Sequence, residues 1–61
     1  MAKLESLKIS KKYLFITTEN KEYQGVFLDR YEKYVTLKNV KYGAKFASLY
    51  TLPISLIARI S

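Results

Sequence analysis

The sequence predicts a mainly β domain in which a short N-terminal helix precedes five strands bent into a small barrel. Three observations carry that reading. From Tyr13 onward the chain is rich in Tyr, Val, Ile, Thr and Phe, which suit a pleated, half-buried surface better than a helix. Turn residues recur at close spacing, at Glu19-Asn20 and at Tyr42-Gly43-Ala44. A lone glycine, Gly25, interrupts the β-prone stretch ENKEYQGVFLDRYEKYVTL of residues 19–37.

Residues 2–9 place Leu4 and Leu7 at helical spacing with charges between them, which predicts one or two turns of helix held by packing on something larger. Tyr13 to Thr18 is the first strand, apolar on both faces. Glu19-Asn20 turns the chain, because Asn tolerates the left-handed conformation that a tight hairpin demands. Lys21 to Asp29 is the second strand and Tyr34 to Lys41 the third. Lys41-Tyr42-Gly43-Ala44 forms the next turn, with Gly43 as its positive-φ residue. Lys45 to Thr51 is the fourth strand. Pro53, with no N–H to donate, breaks the ladder, and Ile54 to Ile60 resumes it as a fifth. Long strands of a small barrel must bend sharply, and glycine marks such bends and bulges. Gly25 is therefore read as the place where the second strand folds over the layer beneath it.

Sixty-one residues make a single domain, 1–61, and a chain this short buries only about 60% of the surface its unfolded form exposes. Domains of this size gain stability from disulfides, a metal or self-association. The chain has no cysteine and no histidine, and its five carboxylates are scattered, so no metal or other cofactor is expected and oligomerisation is the staple that remains. The apolar second face of the first strand, and Leu56, Ile57, Ala58 and Ile60 near the end, call for cover by a neighbour. Neither Ser55 nor Thr51 has a base in a recognisable motif, so no enzyme is expected. Eleven Lys/Arg against five Asp/Glu give a net charge of +6, which favours an anionic partner, above all nucleic acid. No apolar run approaches the roughly 20 residues of a membrane span. Lacking a secretory signal pattern, the N-terminus points to a cytoplasmic location.

Three stretches, in order, resemble one family. ENKEYQG (19–25) is similar to the turn-then-strand pattern of the Sm-like proteins, the Sm, Lsm and Hfq family. YEKYVTL (31–37) resembles their aromatic–acid–x–aromatic segment running into strand three. YTLPISLI (50–57) resembles the Tyr-Lys-His-Ala-Ile-Ser-x-Ile segment of Hfq, with Tyr50, Ile54, Ser55 and Ile57 in register. The set covers most of residues 13–60, with one extra residue between Gly25 and Tyr31 and one fewer after Tyr34. Thr51 and Leu52 stand where Hfq has Lys-His, and the Arg-Gly pair of the second Sm motif is absent.

The resemblance implies a strongly bent, SH3-like (Sm-like) barrel assembled as a homo-oligomeric ring, a hexamer or heptamer, that binds single-stranded RNA, with DNA as the open alternative. It implies that the loop after strand two, Arg30-Tyr31-Glu32-Lys33-Tyr34, faces the pore. Tyr34 then stacks on a base, with Tyr31 the alternative, and Arg30 and Lys33 hold phosphates. Thr51, in the place of a pore lysine, completes the RNA-binding set. Lys38, Lys41 and Lys45, flanking the Tyr42-Gly43 turn, form a second basic patch, and Lys3, Lys8, Lys11 and Lys12 a third. Two rival readings stand beside this one: a small basic barrel coating duplex DNA, and a ring that scaffolds other proteins with its loop idle.

Overall fold

The computed structural model describes residues 4–61, which form one antiparallel sheet. Its strands are β1 (Lys12–Thr17), β2 (Glu22–Tyr31), β3 (Tyr34–Tyr42), β4 (Lys45–Pro53) and β5 (Ile57–Ile60). They lie side by side in the order β4-β3-β2-β1-β5, so β1 pairs with both β2 and β5 while β4 and β5 form the two edges. Among the described residues, helical structure is confined to two three-residue 3-10 turns, Leu4–Ser6 and Ile54–Leu56.

Alternation puts Phe15, Phe27, Val35, Leu37, Val40, Leu52 and Ile60 on one side, where they form the buried core. Each such side chain contributes about 1.5–3 kcal/mol on leaving water. Leu4, Leu7, Ile54 and Ile57 pack around this cluster, as do Tyr13, Tyr23, Tyr42 and Tyr50. Thr17 is the one buried polar side chain among the described residues. Its hydroxyl accepts the Lys21 N–H at 3.1 Å, which satisfies it and clamps the first hairpin. The turn residues act as expected: Asn20 has φ 64° and Gly43 φ 61°.

Gly25 is the pivot. A Cβ built there would sit 2.9 Å from Val40 Cγ2 and 3.4 Å from both Leu37 Cβ and the Lys38 carbonyl oxygen. The β2–β3 register shifts at this level, from Gln24↔Lys41 to Val26↔Lys38, so β3 carries one more residue than β2 between those pairs. That bulge falls at Asn39, whose φ of 51° turns the strand over and swings Val40 across the glycine. A second shift, between Phe27 and Asp29, places the extra residue Leu28 in β2. Gly25 thus makes room for the neighbouring strand: the close approach expected from a fold-over of β2 onto the layer beneath is instead that of Val40 on the bulged β3.

Three expectations need correction. The helix over residues 2–9 is, in its described part, a single 3-10 turn; Ala2 and Lys3 lie outside the described residues. Two leucine anchors are too few to offset the cost of nucleating an α-helix, and the three-residue period of a 3-10 turn already brings Leu4 and Leu7 together. The fourth strand runs on through Pro53, which ends the ladder opposite Tyr34 rather than breaking it before that point. The fifth starts at Ile57 rather than Ile54, because the chain after Pro53 turns to donate the Ile54 N–H to the Lys33 carbonyl at 2.8 Å. Residues 30–34 are not an open loop. β2 runs to Tyr31 and β3 begins at Tyr34, leaving only Glu32-Lys33 as a tight turn with Glu32 at φ 52°.

If Gly25 serves close approach, Gly25→Ala destabilises the fold by about 1–3 kcal/mol, the usual range for overpacking. Because Val40 is the atom in the way, the extra cost of Gly25→Ala shrinks when Val40→Ala is already present. Urea denaturation of the four proteins measures that coupling; equal costs in both backgrounds contradict the steric account.

Candidate nucleic-acid interface

The β2–β3 hairpin presents the residues expected to bind RNA. Tyr31 and Tyr34 are a directly opposed cross-strand pair flanking the turn, and they are 68% and 47% exposed. Rings this open are not core residues, so their apolar faces are available to a partner. Arg30 is exposed, and its backbone N–H donates to Asp29 Oδ1 at 2.7 Å, which braces the strand end while leaving the guanidinium free of that contact.

Across the sheet Tyr34 pairs with Pro53. The Ile54 N–H···O=C Lys33 bond then ties the 3-10 turn to the hairpin tip. Between them lies a shallow groove of about 390 Å³ lined by Arg30, Glu32, Lys33, Tyr34, Pro53, Ile54 and Ser55. Of the five residues expected at the site, the structure brings Arg30, Lys33 and Tyr34 together there. Tyr31 sits at the same hairpin end without lining the groove. Thr51 stands apart, exposed on β4 opposite Thr36.

The second basic patch divides. Lys38 and Lys41 are exposed on β3, directly opposite Leu49 and Phe46 of β4, which are 63% and 74% exposed. Lys45 opens β4 at the Gly43-Ala44 turn. Of the N-terminal lysines, Lys8, Lys11 and Lys12 are exposed, while Lys3 lies outside the described residues. Among the described residues no three His, Cys, Asp or Glu side chains are grouped to hold a metal ion. No helix there is long and apolar enough to cross a membrane.

Sequence reasoning missed a cluster of three tyrosines. Tyr23 of β2, Tyr42 of β3 and Tyr50 of β4 form a triangle with ring centroids 5.3–5.6 Å apart; Tyr23 and Tyr50 stack at 17°. Hydrogen bonding to the Tyr23 hydroxyl raises the pKa of the Tyr50 phenol. Burial and the nearby Tyr23 charge act the same way, and Lys21 opposes them. The signal available was Tyr23, two residues before the glycine and on the same face of the strand.

Comparison of the chain with protein-family profiles, with curated proteins and with solved structures finds no match.

The Tyr50 shift has a definite sign. A phenol whose pKa is higher folded than unfolded holds its proton more tightly in the native state. Its stabilisation is complete below the ordinary tyrosine value of 10.0 and is lost as the pH climbs past it. Denaturation midpoints followed into that alkaline range therefore fall, and Tyr50→Phe reduces the fall. An identical alkaline slope in the variant contradicts the assignment.

Proposed function

We propose that this chain is an Sm-like protein, of the Sm, Lsm and Hfq kind, that acts in the cytoplasm as a homo-oligomeric ring of six or seven copies and binds single-stranded RNA without covalent chemistry. The observation that carries the reading is the groove at the β2–β3 hairpin, where Arg30, Lys33 and the half-exposed ring of Tyr34 converge. In this reading the bent sheet curls into a barrel and each hairpin points at a common pore. Lysine and arginine capture the phosphate backbone, and Tyr34 accepts a base on its face. Repetition around the ring turns weak contacts into useful avidity.

Further features support it. The sheet order leaves β4 and β5 as unpaired edges, which a neighbouring copy can join by continuing the antiparallel ladder. Exposed Phe46 and Leu49 on β4 are apolar surface that such a neighbour covers. The bulged residue Leu28 accounts for the extra residue between Gly25 and Tyr31 relative to the family pattern. With no lysine at position 51, the grip falls to the hairpin alone.

The test is fluorescence anisotropy with a labelled oligo-U RNA at several salt concentrations, against duplex DNA as competitor. Tyr34→Ala weakens RNA binding by about 1–3 kcal/mol for each stacked base, roughly five- to 150-fold. Lys33→Ala flattens the salt dependence by about one ion per site. Unchanged RNA affinity in the double variant removes the hairpin site and leaves the ring as a scaffold. Preference for the duplex points instead to a DNA-coating barrel.

A further inference from the structure

The far end of the sheet carries a second feature that the hairpin reading does not use. β3 runs from the Glu32-Lys33 hairpin at one end to the Gly43-Ala44 turn at the other, where the β1–β2 turn also lies. Between those two turns is a cleft of about 660 Å³. That volume falls within the roughly 300–1,000 Å³ typical of small-molecule sites.

The chemistry of its lining is specific. Lys21 borders the cleft from the β1–β2 turn and Lys45 from the β3–β4 turn, so two exposed lysines flank one space. The wall is aromatic: Tyr23 and Tyr42, both half-buried, with Tyr50 stacked on Tyr23 and tilted against Tyr42. Lys21 is exposed, yet near enough to the tyrosine cluster to lower the Tyr50 pKa electrostatically. One carboxylate, Glu22, also borders the cleft, but it shares a smaller hollow with Lys41 across the strand, and the cleft keeps a cationic excess. The rings are already packed against one another, so little side-chain freedom is lost when a flat ligand settles on them.

We propose that this cleft is a nucleotide-binding site, with a base laid against Tyr42 and Tyr23 and its phosphate held between Lys21 and Lys45. Flat π-faces suit a nucleobase, and paired lysines on flexible stems suit a phosphate as point charges. The space takes a nucleotide, free or as one unit of an RNA strand. The site stands at the opposite end of β3 from the RNA hairpin, so the two readings succeed or fail separately.

The experiment is an NMR titration of the ¹⁵N-labelled full chain with AMP and UMP, with adenosine and inorganic phosphate as controls. The expected result is saturable movement of the Tyr23, Tyr42, Gly43 and Lys45 amides by the nucleotides. Inorganic phosphate should bind roughly tenfold more weakly, for want of the 1–3 kcal/mol that stacking adds. Lys21→Ala and Lys45→Ala each raise Kd about tenfold, the scale of one charge-assisted contact. Tyr42→Leu raises it more; should that variant unfold, Lys45→Glu on the exposed turn must still abolish binding. Tyr34→Ala leaves AMP binding unchanged. An RNA oligonucleotide that competes for these amides identifies the ligand as a strand; mononucleotide binding that RNA does not displace identifies it as free nucleotide. Amides that stay still at saturating AMP, or that respond to phosphate alone as strongly as to AMP, overturn the proposal.

Discussion

The close crossing of β3 over Gly25 organises the rest of the molecule. Val40 Cγ2 occupies the space that a Cβ at position 25 would need, at 2.9 Å, and the Asn39 bulge delivers it there. The bulge does more than relieve a clash. An extra residue in a strand exchanges its inward and outward sides, so Val35 and Leu37 before it and Val40 and Tyr42 after it all face the core side. The same exchange turns Lys41 outward, to the side that Lys38 before the bulge already takes. A β3 without the bulge would point Tyr42 at solvent, and the tyrosine triangle and the cleft it walls would not form.

The parts legible in the sequence were those where one residue type has one physical use. Asn20 and Gly43 mark left-handed turns, and Gly25 marks a close approach; all three stand where their chemistry requires. Part of the site was legible by arithmetic. A turn centred on Gly43-Ala44 fixes the β3–β4 register, and that register carries Tyr34 opposite Pro53. The groove wall beyond Tyr34 follows from it. Nothing in Glu32 announces a φ of 52°, a conformation flanked by the Tyr31–Tyr34 pair, so the tight hairpin is not distinguishable from a loop in the sequence. Asn39 was overlooked for a similar reason, although the apolar spacing 35, 37, 40 breaks strict alternation at that point. The tyrosine triangle joins residues from three strands, and only the folded register brings them together.

The two proposed binding sites lie at opposite ends of the sheet. One end carries an open aromatic hairpin with cations beside it, suited to a strand that must arrive and leave. The other carries a larger cleft with preassembled rings. Exposed lysines lie between them on β3, where each adds a modest attraction that salt weakens within a Debye length of about 8–10 Å. In the proposed reading selectivity comes from stacking at the two ends, since a net charge of +6 attracts any polyanion.

The edges decide what the protein is. Seven core side chains hold together a sheet whose outer strands, β4 and β5, are each paired on one side and open on the other among the described residues, and β4 adds exposed Phe46 and Leu49 to its edge strand. Open strand edges beside exposed apolar residues invite uncontrolled pairing unless something closes them, and in the proposed ring joining β4 of one copy to β5 of the next does so for every copy at once. Light scattering coupled to size exclusion at micromolar concentration tests this most directly. The account predicts a single species of six or seven times the 7.1 kDa chain mass. A sharp peak at the mass of one chain contradicts it.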